Sequence, residues 1–458
     1  MAITLDSGSP DGNSREIFAG QPLWAAFSRR PGSPGAHAAA EAERPSAATE
    51  TPSGPAAAEH AAKRSPQPEY LAAADAGNGN SAAGISEFHA RLVKESFAAI
   101  EARSGEVMEH FYARLFAEHP EVRAMFPLAM SAQRERVFGA LARMVQVVDN
   151  PGALAMRARQ LGRDHRKFGV RDKHYDGFFG ALLAAIRHFS PAWTAETQAA
   201  WDVALSAVAG SMRAAAAADA RHGPPWWIGE VVRHDPRGPD LAVLTIQPDQ
   251  PLSYLPGQYL AVQVARWPRA WRNFSIANAP RASGSVDLHV RAIPGGLVST
   301  ALVHYVRSGD AILLGPARGE MTIAQDCGRD LLCVAGGTGL APIKAIIEAV
   351  ASARQSWRPA ITLYVGARTA AGLYDMRELA LLEAWYPALK IIPVVSRDPD
   401  WPGRAGTLPD VLRQDASPEG REVFISGPAP MVTGAVRVLA RRVAREHIHH
   451  DPIGAATA

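Results

Sequence analysis

The sequence predicts a multidomain chain: an all-α domain, then an antiparallel β-barrel, then an open α/β sheet with mostly parallel strands. Three observations point to it. Apolar residues recur at three- and four-residue steps from about residue 86 to 220, with no alternating stretch among them. Past Pro224-Pro225 the pattern changes to short alternating runs split by Pro and Gly turns. From "DLLCVAGG" onward, continuous apolar runs alternate with Gly turns and helical stretches.

Length and composition agree with this division. At 458 residues the chain is too long for one core, and 47% apolar residues are enough for several. The formal net charge of +3 gives no reason to expect a nucleic-acid or membrane partner. The two cysteines, Cys327 and Cys333, cannot build a disulfide framework or a four-thiolate metal site, so a reducing, cytoplasmic setting is expected. No apolar run is long enough to span a bilayer, and "MAITLDSGSPDGNSRE" does not read as a secretory signal.

Taken in order, residues 1–84 are rich in Ala, Pro, Gly, Ser and Glu and read as a disordered leader without a core face. Ser86 is placed to cap a helix whose inner face is Phe88, Leu92, Val93, Phe97 and Ile100. Val107, Met108, Phe111, Tyr112 and Leu115 mark a second helix, ending at "EHPEV". Val137, Leu141, Met144, Val145 and Val148 mark a third, stopped by "DNPG". "LGRDHRKFGV" reads as helical, Tyr175 to Ile186 as another stripe, and Trp201, Leu205, Val208 and Met212 as the last. The helical domain therefore runs from 86 to 220. "WWIGEVVRH", "LAVLTIQP", "QYLAVQV", "RNFSIAN" and "VDLHVRAI" are the barrel strands, over 226–323. "LLCVAGG", "ITLYVGA", "LKIIPVVS" and "REVFISGP" are the buried strands of the third domain, over 328–451.

Two glycine turns and one strand carry chemistry. Gly336-Gly337-Thr338-Gly339 sits between a buried strand and a helix, where bare backbone and unpaired N–H groups suit a pyrophosphate. A tight turn with no ligand fits the same four residues. Ser426-Gly427-Pro428 ends a later strand at the same edge, where α/β folds bind ligands. "RNFS" offers an arginine for phosphate, a ring for stacking and a serine hydroxyl; one arginine on a strand is more often a plain surface cation. The ordered set "YLPGQYLAV", "WRNFSIANAP", "GGLVST", "GGTGLAP" and "FISGP" resembles the ferredoxin–NADP reductase superfamily. That resemblance implies an FAD domain on the β-barrel and an NAD(P) domain on the open sheet. FAD would be held by Tyr259, by Arg272, Asn273, Phe274 and Ser275, and by Gly295, Gly296, Leu297, Val298 and Ser299. NADH or NADPH would lie at Gly336, Gly337, Thr338, Gly339, Leu340, Ala341 and Pro342, near Ser426, Gly427 and Pro428. "YVGARTAAGLYDM" is similar to users of NADH, whereas Arg368 suits a 2′-phosphate.

"FYARLFAEHPEVRAMFP", "SAQRERVFGALARMV" and "RDHRKFGVRDKHY" resemble the globin domain of flavohaemoglobins, the family of nitric oxide dioxygenases, and a reductase stands directly behind them. On that resemblance His165 is the metal ligand of haem b, rather than the ordinary polar histidine it resembles in isolation. Its rivals are weaker: His119 lies at a helix end and His174 misses the ligand position. Phe126 is implied as a haem contact, Tyr112 and Gln133 as the distal pair, and Tyr175 as the residue orienting His165. Tyr112 and Phe126 also read as simple packing residues.

The chain departs from the family at several positions. Phe274 replaces a tyrosine, Ser426 a cysteine, and Asp164 the basic residue before the ligand. Ala216 takes the place of the proximal glutamate. Asp451 keeps the terminal acid, but Ile453 stands where an aromatic ring stacks on flavin. The "REHIHHD" end reads as a solvated tail rather than a metal site. The implied reaction converts nitric oxide and oxygen to nitrate with electrons passed from NAD(P)H through FAD to haem, in a monomer or weak dimer. A haem–flavin oxidoreductase linked to peroxide or lactate, an oxygen or redox sensor, and a reductase serving another protein remain open alternatives.

Overall fold

The computed structural model describes residues 85–127, 129–324, 327–353 and 358–451. The expected leader, residues 1–84, and Ile453 lie outside them.

Six helices form the first domain. Ser86 caps α1 (Glu87–Glu101), its hydroxyl accepting from the His89 N–H at 3.2 Å. α2 (Ser104–Glu118) ends at a 3₁₀ turn, Pro120–Met125, and α3 (Ser131–Val145) follows. Asn150 caps α4 (Pro151–His165), whose first residue is the proline that stops α3. α5 (Lys173–Phe189) and α6 (Ala195–Ala220), the latter capped by Thr194, complete the domain. The predicted stripes meet in a main core that includes Val93, Phe97, Ile100, Val107, Phe111, Leu115, Ile186 and Trp201, and in a second cluster of Met144, Leu154, Tyr175, Val208 and Met212. Trp201 Nε1 satisfies its polar edge by donating to Ser96 Oγ at 2.9 Å. Phe88 is not part of that core: it is 48% exposed, one turn too early on α1 to reach the neighbouring helices. Gly162 allows α4 to lie against α6, since a Cβ there would stand 2.2 Å from the Met212 carbonyl oxygen.

The second domain is a nearly closed, six-stranded antiparallel barrel. Its strands are β1 (Trp227–Gly238), β2 (Leu241–Pro248), β3 (Tyr259–Val264), β4 (Arg272–Ser275), β5 (Val286–Arg291) and β6 (Ala311–Leu314). They run in the order β4-β3-β6-β1-β2-β5, and a bridge between Ile276 and Leu288 brings the two edges together. β6 is an addition to the sequence reading: "AILL" pairs with both β1 and β3 and joins the two halves. So is α7 (Leu297–His304), which grows out of the Gly295-Gly296 turn and buries Val298, Ala301 and Leu302 in the barrel core.

The third domain is a wholly parallel sheet in the order β10-β9-β8-β7-β11-β12. β7 (Leu331–Gly336) is buried along its full length, as a central strand covered on both faces requires. β8 (Ile361–Ala367), β9 (Leu389–Val395) and β11 (Glu422–Ser426) match the expected strands, and α8 (Leu340–Ser352), α9 (Met376–Trp385), α10 (Leu408–Asp415) and α11 (Ala429–Leu439) connect or cover them. The two-residue edge strands β10 (Arg404–Ala405) and β12 (Ile448–His449) extend the sheet. β12 corrects the reading of the histidine-rich end as a solvated tail. His447 Nδ1 and His449 Nε2 each sit 2.7 Å from an oxygen of Glu422, which is nearly buried, and so fasten this segment to β11.

Candidate functional site

His165 is the last residue of α4 and leads into a short turn closed by Gly169. Its Nδ1 lies 2.6 Å from the Leu161 carbonyl oxygen one turn back. A carbonyl can only accept, so Nδ1 carries the proton and Nε2 keeps its lone pair. Burial disfavours the imidazolium, against a smaller opposing pull from the Leu161 bond. The ring is thus held neutral and oriented, as a metal ligand needs. The bond that fixes it is made by Leu161 and not by Tyr175. Tyr175 packs with Leu161, Leu154 and Met212, and its hydroxyl has no hydrogen-bond partner among the described residues. Arg213 lies 5.4 Å from the Tyr175 ring and pairs with Asp172 and Asp176; Ala216, one turn further along α6, supplies no carboxylate there. His119 packs on Gly177 and pairs weakly with Glu121, while His174 Nδ1 caps the Arg171 N–H.

Tyr112 is 3% exposed and its hydroxyl also lacks a hydrogen-bond partner among the described residues. Burial pushes the phenol well above its usual range; Gln133, and then the charge of Arg134, pull the other way. The Tyr112 ring meets Phe126 edge-on, with centroids 5.5 Å apart, and Phe116 at the same distance. α2, α3 and the segment between them therefore bring Tyr112, Gln133 and Phe126 together. A neutral imidazole with a free nitrogen and a buried phenol with nothing to bond are what a haem held by one histidine asks of its pocket. The residues fit the group.

On the barrel, β3 and β4 pair so that Tyr259 stands opposite Ser275, Leu260 opposite Phe274 and Val262 opposite Arg272. Arg272 donates to the Trp271 carbonyl at 2.7 Å and has no ion pair among the described residues. Burial disfavours its charge, and Arg136 of α3 repels it further. An arginine on a strand with no ion pair among the described residues suits a pyrophosphate. Asn273 is exposed, and Phe274 packs partly on the barrel core. Gly295, at φ 74°, turns the chain into α7; Gly296, whose N–H donates to the Ile293 carbonyl at 2.9 Å, precedes the helix, and Leu297, Val298 and Ser299 begin its first turn, the end of a helix that suits an anion. Tyr259 is walled by Gly319, where a Cβ would stand 3.1 Å from its ring and 3.4 Å from an Asp451 carboxylate oxygen. Burial pushes Asp451 up to about 6, with Glu320 adding to it and His450 opposing.

In the third domain the two glycine motifs touch. A Cβ on Gly339 would lie 2.4 Å from the Ser426 carbonyl oxygen, and one on Gly427 3.0 Å from that of Gly336. Gly336 to Gly339 and Ser426 to Pro428 thus form one bare-backbone ledge at the strand ends, from which Leu340, Ala341 and Pro342 start α8. Arg368 lies just beyond β8 and its carbonyl accepts from the Arg397 N–H.

Comparison with known proteins follows the same three-part division. Residues 109–212 match the Globin family, 231–323 the Oxidoreductase FAD-binding domain and 333–437 the Oxidoreductase NAD-binding domain. The chain is 28% identical over 397 residues to a flavohemoprotein of Bordetella pertussis, covering 79% of this chain and 97% of that one. The chain is a globin–reductase fusion of the flavohaemoglobin type. The fold of the chain matches the crystal structure of the flavohaemoglobin from Malassezia yamatoensis with bound FAD and heme, at TM-score 0.67 and 17% identity, covering 81% of this chain and all of that one. Its reductase half is 32% identical over 217 residues to the electron transfer component of the xylene/toluene monooxygenase of Pseudomonas putida, but spans only 61% of that relative. Its cofactors are haem, FAD and a nicotinamide dinucleotide. No helix among the described residues is long and apolar enough to cross a membrane.

Sequence pattern does not announce the polar joints between the barrel and the third domain. Asp375, 1% exposed, takes Lys344 Nζ at 2.9 Å and a nitrogen of Arg237, on β1, at 3.4 Å. Beside it the Tyr374 hydroxyl and His289 Nδ1 of β5 lie 2.7 Å apart. Burial lowers His289 to about 4 and raises Tyr374, so the phenol donates and the imidazole accepts. Glu348 of α8 accepts from the Ala279 N–H of the barrel at 3.1 Å. Only "LYDM", an acid and a phenol within an apolar stretch, hinted at this joint.

Proposed function

We propose that the chain is an NAD(P)H-dependent nitric oxide dioxygenase, with the net reaction of two nitric oxide, two oxygen and one NAD(P)H giving two nitrate, NAD(P)⁺ and one proton. The observation that carries the reading is the pairing of an oriented, neutral His165 with a buried Tyr112 hydroxyl, in a chain that also supplies flavin and nicotinamide domains.

When bound, the prosthetic groups supply one-electron chemistry between a hydride donor and oxygen. The protein residues do the rest. Leu161 holds the Nδ1 proton of His165 and leaves Nε2 to ligate iron. Tyr112, kept protonated by burial, donates its O–H to a small ligand that gains negative charge, with Gln133 beside it. Phe126 packs edge-on against the Tyr112 ring and so fixes its plane. Arg272 and the first turn of α7 would neutralise the FAD pyrophosphate, and Ser275, Tyr259 and Phe274 would border the flavin ring. Gly336 to Gly339 would hold the nicotinamide cofactor, with Ser426 on the same ledge offering it a polar side chain.

The deciding experiment follows nitric oxide loss by purified, cofactor-loaded protein with NADH and with NADPH. The reading expects rapid, oxygen-dependent loss with at least one of them and nitrate as product. Fast cytochrome c reduction without nitric oxide loss would replace it by an electron-supply role, in line with the resemblance of the reductase half to a monooxygenase component. Flavin reduction by lactate would favour a different donor.

A further inference from the structure

We propose that Arg318 of the barrel, through Asp219 and Asp164, is the positioning residue that sets the helical domain against the flavin site, and that this charge clamp governs electron passage to the haem. The inference rests on the flavin-to-haem reading above.

The clamp is continuous from one site to the other. Arg318 and Tyr259 exchange both backbone hydrogen bonds at 2.8 Å, so Arg318 is fixed to the residue that borders the flavin. Its guanidinium reaches Asp219, at the end of α6, at 3.2 Å, and Asp164 at 3.9 Å. Asp219 also pairs with Arg166, which in turn donates to the Gly223 carbonyl at 2.7 Å. Asp164 and Arg166 flank His165 in the chain. The Arg166 and Asp219 side chains are largely buried and that of Arg318 mostly so, which removes the solvent screening that makes surface pairs weak.

This geometry gives a role to the acid at position 164. It accepts from Gln160 at 3.0 Å and faces an arginine from the opposite domain, and Arg163 and Lys167 add their charges to those of Arg318 and Arg166 around the two carboxylates. Interfaces between domains of one chain move by default unless something holds them, and a misplacement of about 1 Å can cost roughly a hundredfold in rate. Each hydride from NAD(P)H brings two electrons and leaves one proton, and each electron turns one ferric iron ferrous. The clamp acts on that second stage alone.

The test follows flavin bleaching and haem reduction separately by anaerobic stopped flow in the loaded, full-length protein. In R318Q the nicotinamide-to-flavin rate stays within twofold of the parent, while the flavin-to-haem rate falls tenfold or more. R318K recovers to within threefold. D219N, which alters the acceptor of both arginines, gives the same split. Hydrogen exchange over residues 163–168 and 316–320 rises in R318Q and D219N, whether or not haem is bound. A flavin-to-haem rate within twofold of the parent in both R318Q and D219N would overturn the clamp. A parent whose flavin bleaches while its haem stays ferric would overturn the fusion reading, and the clamp with it.

Discussion

The Nδ1 of His165 and the carbonyl oxygen of Leu161 stand 2.6 Å apart, one helical turn along α4. The backbone of the same helix therefore sets the tautomer and the plane of the ring. In this protein a main-chain acceptor orients the histidine, and no carboxylate does. Tyr175 remains beside Leu161 with an unbonded hydroxyl, and Ala216 supplies no acid. A carboxylate bonded to the far nitrogen raises the basicity of a ligating histidine, so on the proposed reading His165 would be a weaker electron donor than a carboxylate-paired ring.

Tyr112 is stable as a phenol but poorly satisfied. Y112F removes a buried hydroxyl with no hydrogen-bond partner among the described residues, so the variant prepared without hemin is expected to unfold at a urea concentration no lower than the parent's. Loaded with ferrous haem, the same variant loses a hydrogen bond to the ligand. A bond to a charged group contributes about 1.5–3 kcal/mol, so oxygen leaves ten- to a hundredfold faster, on the order of one decade per 1.4 kcal/mol. Flash photolysis measures that rate. Unchanged release would assign Tyr112 to packing.

Asp375 holds two cations at the joint between barrel and nicotinamide domain. D375N removes the ion-pair partner of the largely buried Lys344, while Arg237 keeps Asp235 at 3.0 Å, so the loss of about 3 kcal/mol or more falls on Lys344. Urea unfolding of the parent and D375N gives the difference directly, and Y374F, which removes only the bond to His289, is expected to lose less.

Asp451 carries a pH signature. Its carboxyl ordinarily titrates near 3.8 and is raised to about 6 in the folded chain. Between those values the folded state binds the proton and the unfolded state does not, so stability falls as pH rises through that window. D451N abolishes this term. The variant is more stable than the parent at pH 7, and the advantage disappears by about pH 4, as thermal unfolding across that range will report.

Gly339 permits the contact between the two nicotinamide motifs, and G339A places a methyl 2.4 Å from the Ser426 carbonyl oxygen. Such an approach forces the backbone to shift. Flavin reduction by NADH slows at least tenfold in G339A, while haem reduction by dithionite is unchanged.

Much of this architecture is legible in the sequence because local pattern and tertiary demand agree. α2 shows it well: every residue of its predicted stripe, Val107 to Leu115, is buried. β7 reads as a continuous apolar run because it is covered on both sides. The Gly336 and Ser426 motifs were visible because only glycine fits where two backbones touch. β6 escaped notice because four residues carry no period, and α7 because it begins inside a glycine turn. β12 was misread because its histidines look solvated until Glu422, 25 and 27 residues earlier, is seen to hold them. Arg318 and Asp219 lie 99 residues apart, and no local pattern announces such a pair.

The central claim is that one imidazole, His165, holds haem in a chain that also carries its own flavin electron source. Its most direct test is the visible absorbance of purified parent and H165A, each supplied with hemin and FAD and then with NADH in the absence of oxygen. The parent is expected to show a porphyrin band that shifts to the ferrous form once its flavin bleaches, and H165A to bleach its flavin with no protein-bound porphyrin band. An H165A spectrum that keeps the parent's band and its shift would contradict the assignment of the ligand.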